Sequence, residues 1–137
     1  MISVVTDYAP CLAVRRQVFV EEQGISEADE VDGRDPKAIL LLATDQGKPV
    51  GAARILISGE IGKIGRICVV SEKRGSGLGA ALVAAAVDYL RKQDNVTQAK
   101  LGSQNHAIGF YAGLGFRPIG PIYQDAGIPH QDMIRDL

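Results

Sequence analysis

The chain has 137 residues, 46% of them hydrophobic and none of them tryptophan, with a formal net charge of −1. That length suits one domain, residues 1–137, with a real core, and the composition is ordinary for a water-soluble α/β protein. The near-neutral charge argues against nucleic acid or an anionic membrane as the main partner, and no apolar run reaches the roughly 18 residues of a membrane span.

Met1-Ile-Ser-Val-Val-Thr opens the chain as a strand pattern, Ile2–Thr6, not as a secretory leader. A cytoplasmic protein is expected, with Cys11 and Cys68 as reduced thiols. Asp7 can cap the helix that follows, Pro10 is tolerated in its first turn, and Gly24 suits its end. Glu27 to Asp35 is a loop with five acids and one Arg34. It reads either as a solvated segment or as a field that draws a cationic substrate. Ala38–Thr44 and Pro49–Ile57 form an antiparallel pair across Asp45-Gln-Gly-Lys, and Lys63–Val70 is the next strand. Gly77–Gln93 is helical, with an apolar stripe of Leu78, Leu82, Ala85, Val87 and Leu90. Thr97–Leu101 is a strand, Ala107–Leu114 a short helix ended by Gly115, and Arg117–Tyr123 and His130–Arg135 are the last strands. This order gives an α/β (α+β) fold, a mixed and mostly antiparallel sheet flanked by helices. No repeat and no metal-ligand spacing is present; His106 and His130 stand apart in the sequence.

The chemistry concentrates in Arg66 to Val83, where a strand runs through a basic, glycine-rich turn into an alanine-rich helix. Glycines let a ligand approach the backbone, and a helix N-terminus offers unpaired N–H groups at the positive end of its dipole. A phosphate-bearing cofactor is therefore expected. A Walker A loop is ruled out, because neither glycine-rich stretch ends in Gly-Lys-Ser/Thr. Gly75, Gly77 and Ala80 fit G-x-G-x-x-G/A, and Asp94 lies near the spacing of a ribose-binding acid. Yet Asp94 precedes the next strand instead of following it, and four polar residues separate the strand from the first glycine. The pattern [Q/R]-x-x-G-x-[G/A] is met by Arg74, Gly77 and Gly79.

With that pattern stands a second segment, Asn105-His-Ala-Ile-Gly-Phe-Tyr-Ala-Gly-Leu-Gly-Phe116. Together they resemble the acetyl-CoA motif and the Asn-x-x-A-x-x-F-Y-x-x-x-G-F segment of the GCN5-related N-acetyltransferase (GNAT) superfamily, although Gly109 here precedes Phe110-Tyr111. Val14 to Gly24 and Asp125 to His130 resemble a small bacterial subgroup, the ElaA/YjcF-like proteins. The resemblance covers nearly the whole chain. It implies the family fold without its usual second helix, the acidic loop standing in that helix's place. It also implies acetyl-CoA as cosubstrate and transfer of an acetyl group to a primary amine.

Carried over residue by residue, the resemblance assigns Ile67, Cys68 and Val69 to the strand against which pantetheine lies, with the Val69 N–H donating to the thioester oxygen. The same three also read as buried strand residues. It assigns Arg74, Gly75, Ser76, Gly77, Leu78 and Gly79 to the pyrophosphate. Asn105 would touch the cofactor arm or cap a helix. Tyr111 would be the general acid toward the leaving thiolate, or a core aromatic between Phe110 and Phe116. Glu21 and His130 are the candidate bases, with a water chain as the substitute. A cationic acceptor amine is implied, such as a polyamine, an amino sugar or a lysine-bearing peptide, and a homodimer is compatible. The alternative is a non-catalytic CoA-binding sensor on the same fold.

Overall fold

A computed structural model describes residues 1–26, 33 and 37–137. The acidic segment Glu27–Asp35, Gly33 excepted, and the expected replacement of a helix by it lie outside the described residues. Among the described residues, seven strands form one sheet: β1 (Ile2–Val5), β2 (Ile39–Asp45), β3 (Lys48–Ser58), β4 (Ile61–Val69), β5 (Gln98–Gln104), β6 (Arg117–Asp125) and β7 (Ile128–Asp136). Their order is β1-β2-β3-β4-β5-β7-β6. Every neighbouring pair is antiparallel except β4–β5. That parallel pair needs a crossover, supplied by helix α2 (Leu78–Arg91).

The hairpins follow from turn chemistry. Gln46 and Gly47 sit at φ 51° and 80°, and Ala126 and Gly127 at 52° and 76°. Two consecutive positive φ values make the turn whose twist matches the flanking strands. Helix α1 (Ala9–Arg15) has Tyr8, not Asp7, at its cap position and no side-chain cap bond; Asp7 lies one residue earlier, where its Oδ1 accepts from the Ala9 N–H at 3.1 Å. The helix then widens into a π-helical segment, Arg16–Glu22, shown by the bond from Gln23 N–H to Val18 O at 3.0 Å. Gly24, at φ 73°, stops it. The sequence reading expected ordinary helix throughout this stretch.

The core lies between the sheet and its helices. α2 buries Leu82, Val83, Ala86, Val87 and Leu90. Val83 and Ala86 thus replace Leu78 and Ala85 in the expected stripe. Small residues bring α2 close: a Cβ at Gly51 would stand 3.0 Å from Leu82 Cδ1, and one at Gly62 only 2.2 Å from Leu90 Cδ2. Leu90 is fully buried, so it has nowhere easy to go. Gly62→Ala is expected to cost about 1–3 kcal/mol through overpacking, whereas Gly65→Ala, with nothing within 4 Å of its Cβ, should be near neutral. Chemical denaturation of the two variants checks this.

Candidate active site

The sheet splits at its centre. β4 pairs with β5 only from Ile61↔Gln98 to Ile64↔Leu101. Beyond that point β5 pairs with β7, and β4 pairs with β3 alone. The divergence coincides with a bulge in β4: Ala52 faces Cys68 and Arg54 faces Gly65, leaving Arg66 and Ile67 opposite Ala53. Arg66 holds φ 50°, a strained value for a non-glycine residue and the sort of outlier that functional sites retain. The Val70 N–H donates to Val50 O at 2.9 Å, so Val70 faces β3. By the alternation of an antiparallel ladder, the Val69 N–H and C=O face the gap.

Past Val69 the chain makes a 3₁₀ turn, Ser71–Lys73, and enters α2 through Gly75 and Gly77 at φ 79° and 84°. The first bond of α2 runs from Ala81 N–H to Gly77 O at 3.0 Å, and no side chain caps the helix. The N–H groups of Leu78, Gly79 and Ala80 therefore lack helical partners. A Cβ at Gly75 or Gly77 would meet nothing within 4 Å; one at Gly79 would lie 3.7 Å from Phe110 and 3.9 Å from Val69. The loop is thus open on its ligand side and walled by apolar groups, which fits an anion joined to an apolar arm. It does not fit a dinucleotide. The strand after α2 ends in Gln104, not in an acid, and Asp94 stands before that strand.

Beside the gap lies a cleft of about 510 Å³ whose walls include Ile67, Tyr111, Tyr123, Asp125 and His130. Tyr111 sits on α3 (Ile108–Ala112), edge-on to Phe110 and Phe116 with ring centres 5.0 and 6.4 Å away. Burial pushes its phenol up to about 12. His130 stands on β7 opposite Gln104 and Tyr123. Its Nδ1 lies 2.7 Å from Ile128 O. A carbonyl only accepts, so Nδ1 carries the proton and, in the neutral ring, Nε2 keeps its lone pair. Tyr123 stacks on the imidazole at 5.9 Å and donates to Asp132 Oδ1 at 2.7 Å. Burial, and then the Asp132 carboxylate, raise the Tyr123 phenol.

Ile67, Tyr111 and His130 are thus brought together, with Val69 and Arg74–Gly79 continuing the site along β4 into α2. Cys68 is 4% exposed and belongs to the core; neither it nor Cys11 is in a disulfide. Glu21 is exposed on the π segment and is not part of the cleft wall. Asn105 opens a 3₁₀ turn, Asn105–Ala107, whose cap is Gln104 and lacks a side-chain bond. Its alternative reading as a helix cap is therefore corrected. Tyr123 and Asp125 were missed by sequence reasoning, because only the β6–β7 register brings them to the cleft. Among the described residues no cluster of three or more His, Cys, Asp or Glu can hold a metal, and no helix is long and apolar enough to cross a membrane.

A sheet split beside a phosphate-type helix start defines an acyl-CoA transferase fold, and comparisons with known proteins agree. The family model of the acetyltransferase (GNAT) domain matches residues 12–137. The uncharacterized N-acetyltransferase YjcF of Bacillus subtilis (strain 168) is 33% identical, covering 90% of this chain and 88% of its own. The crystal structure of Escherichia coli ElaA superposes with a TM-score of 0.85 at 30% identity, covering 98% of this chain and 99% of that one. An acyl-CoA N-acyltransferase structure from Pseudomonas aeruginosa gives 0.88 at 28% identity, covering 98% of each. The chain belongs to the GNAT acetyltransferase family. Within it, the chain falls in an ElaA/YjcF-like subgroup, and, as for GNAT acetyltransferases, its cosubstrate is acetyl-CoA.

Proposed function

We propose that the protein transfers the acetyl group of acetyl-CoA to a primary amine by direct attack on the thioester. The observation that carries this reading is the single line of groups from the α2 N-terminus, along the open edge of β4, into the cleft of Tyr111 and His130. Acetyl-CoA supplies an activated acyl group; this chain's residues hold, polarise and deprotonate. Gly75, Ser76, Gly77, Leu78 and Gly79 take the pyrophosphate on backbone N–H groups, and Arg74, whose own N–H donates to Ser71 O at 3.3 Å, adds its guanidinium charge. The Val69 N–H faces the gap and stabilises charge developing on the thioester oxygen. His130 Nε2 accepts the ammonium proton, so that the neutral amine nitrogen can bond to the carbonyl carbon. The C–S bond then breaks, the nitrogen gives its second proton to solvent water, and the products are the amide and a thiolate. Tyr111 donates a hydrogen bond to that sulfur. Moving its proton outright to a thiolate of ordinary basicity would cost roughly 5 kcal/mol, so hydrogen bonding, not full transfer, is its role. Cys68 lies in the core and away from the cleft wall, which supports direct attack over an acyl-cysteine route.

The acceptor is a cationic amine on the reading of the acidic segment, whose five acids all fall outside the described residues. A thiol-release assay over amines and lysine-bearing peptides, with mass detection of the N-acetyl product, tests the reaction. Acetyl-CoA binding without turnover across that panel would mark a sensor instead.

The cradle has its own test. Gly77→Ala places a methyl group on the ligand side and should weaken acetyl-CoA binding at least tenfold, about 1.4 kcal/mol. Gly59, at φ 60° with nothing within 4 Å of its Cβ, also holds a left-handed backbone, and it stands at the end of β4 away from the loop. Gly59→Ala controls for strain, and calorimetric titration of both variants decides. An unchanged dissociation constant for Gly77→Ala refutes the cradle.

A further inference from the structure

Glu22 and Arg74 reach each other from separate parts of the chain. Glu22 ends the π segment, and Arg74 begins the phosphate pattern. The guanidinium donates to both carboxylate oxygens of Glu22 and, through Nε, to Val69 O at 3.1 Å. Next to Glu22, Gln23 accepts from Gln104 Nε2 at 3.1 Å. The end of the π segment is therefore tied to both sides of the gap, to the phosphate loop through Glu22 and to β5 through Gln23. The hydrogen bond from Arg74 holds the Glu22 carboxyl below its ordinary range, so it stays ionised near neutrality.

We infer that Glu22 is a positioning residue that sets the affinity for acyl-CoA, holding the Arg74 guanidinium on the open edge of β4 and competing with the phosphates for it. The inference rests on the cradle described above. A guanidinium fork engages one carboxylate or one phosphate in paired geometry, not both at once. The pair is exchangeable, because its side chains are 43% and 40% exposed and such pairs are weak in water. Nor is it an incidental contact: the same guanidinium also takes the carbonyl of Val69, the residue whose N–H the reaction uses. The neighbouring cation, Lys73, pairs instead with Asp45 at the β2–β3 turn, and this supplies a comparator of equal charge change.

Acetyl-CoA and S-acetylpantetheine, which lacks phosphates, are titrated calorimetrically into the parent, Glu22→Gln, Asp45→Asn, Arg74→Gln and the Glu22→Gln/Arg74→Gln double variant. Glu22→Gln is expected to bind acetyl-CoA about three- to fivefold more tightly at low salt, with the gain fading at high salt. Its S-acetylpantetheine affinity should not move. Asp45→Asn should give a smaller gain, and the Arg74→Gln background should give none. Unchanged or weaker acetyl-CoA binding by Glu22→Gln, a gain no larger than that of Asp45→Asn, or a gain that persists without Arg74 overturns the inference. Gly77→Ala separates the two levels. If it weakens binding while Glu22→Gln fails, the cradle stands and only the role of Glu22 falls.

Discussion

Tyr111→Phe is expected to lower kcat roughly 10²-fold while leaving the dissociation constant of acetyl-CoA nearly unchanged. The substitution keeps the ring against Phe110 and Phe116 and removes only the hydroxyl that would meet the departing sulfur. A second readout follows from the raised phenol. An acid whose folded value, about 12, lies above its ordinary 10 binds its proton more tightly in the fold. Its contribution is fully present below about pH 10 and is lost as pH rises toward 12. Tyr111→Phe should therefore reduce the parent's alkaline loss of stability by up to about 3 kcal/mol, while the part due to Tyr123 stays. Between pH 7 and 9 the Tyr111 phenol stays protonated, so it adds no basic limb to the rate profile. Parental turnover by the Phe variant on the true acceptor would make Tyr111 a packing residue.

The glycine-rich turn into α2 was legible because its demands are local. Left-handed φ at Gly75 and Gly77, a helix start without a side-chain cap, and basic residues just upstream all leave marks in a short window. The hairpins at Gln46-Gly47 and Ala126-Gly127 follow from the same turn chemistry. The splitting of the sheet was not legible, since Gly65-Arg66-Ile67 carries no sign that two residues face one. Nor did the pattern of Arg16–Glu22 show π winding. That winding decides which of two adjacent acids reaches Arg74. Sequence reasoning took Glu21 as a candidate base and foresaw no partner for Arg74; the structure sets Glu22 on the guanidinium and leaves Glu21 off the cleft wall. His130 alone looked like an isolated strand histidine. Its surroundings come from long-range register: Gln104 on one side, Tyr123 on the other, and Asp125 at the mouth of the hairpin. Local patterns hold no record of such neighbours.

Replacing His130 is the other change with a large expected effect. The bond between Nδ1 and Ile128 O fixes the tautomer, and the stack on Tyr123 fixes the ring plane. Tyr123 is itself held by Asp132, which lies 3.5 Å from Lys100 Nζ. A base supported this way loses little orientational freedom before it takes a proton. His130→Gln should lower kcat about 10²-fold or more, with acetyl-CoA affinity retained, since the phosphate loop lies on other elements. His130→Ala should lose as much, and it adds a sharper test. It enlarges a cleft that already spans about 510 Å³, leaving room for imidazole added to the buffer. Turnover of His130→Ala should then recover in a saturable way with imidazole, and not with an equal concentration of a non-basic five-membered ring. A structural histidine would show no such recovery. Full parental kcat in His130→Gln would assign deprotonation of the amine to water.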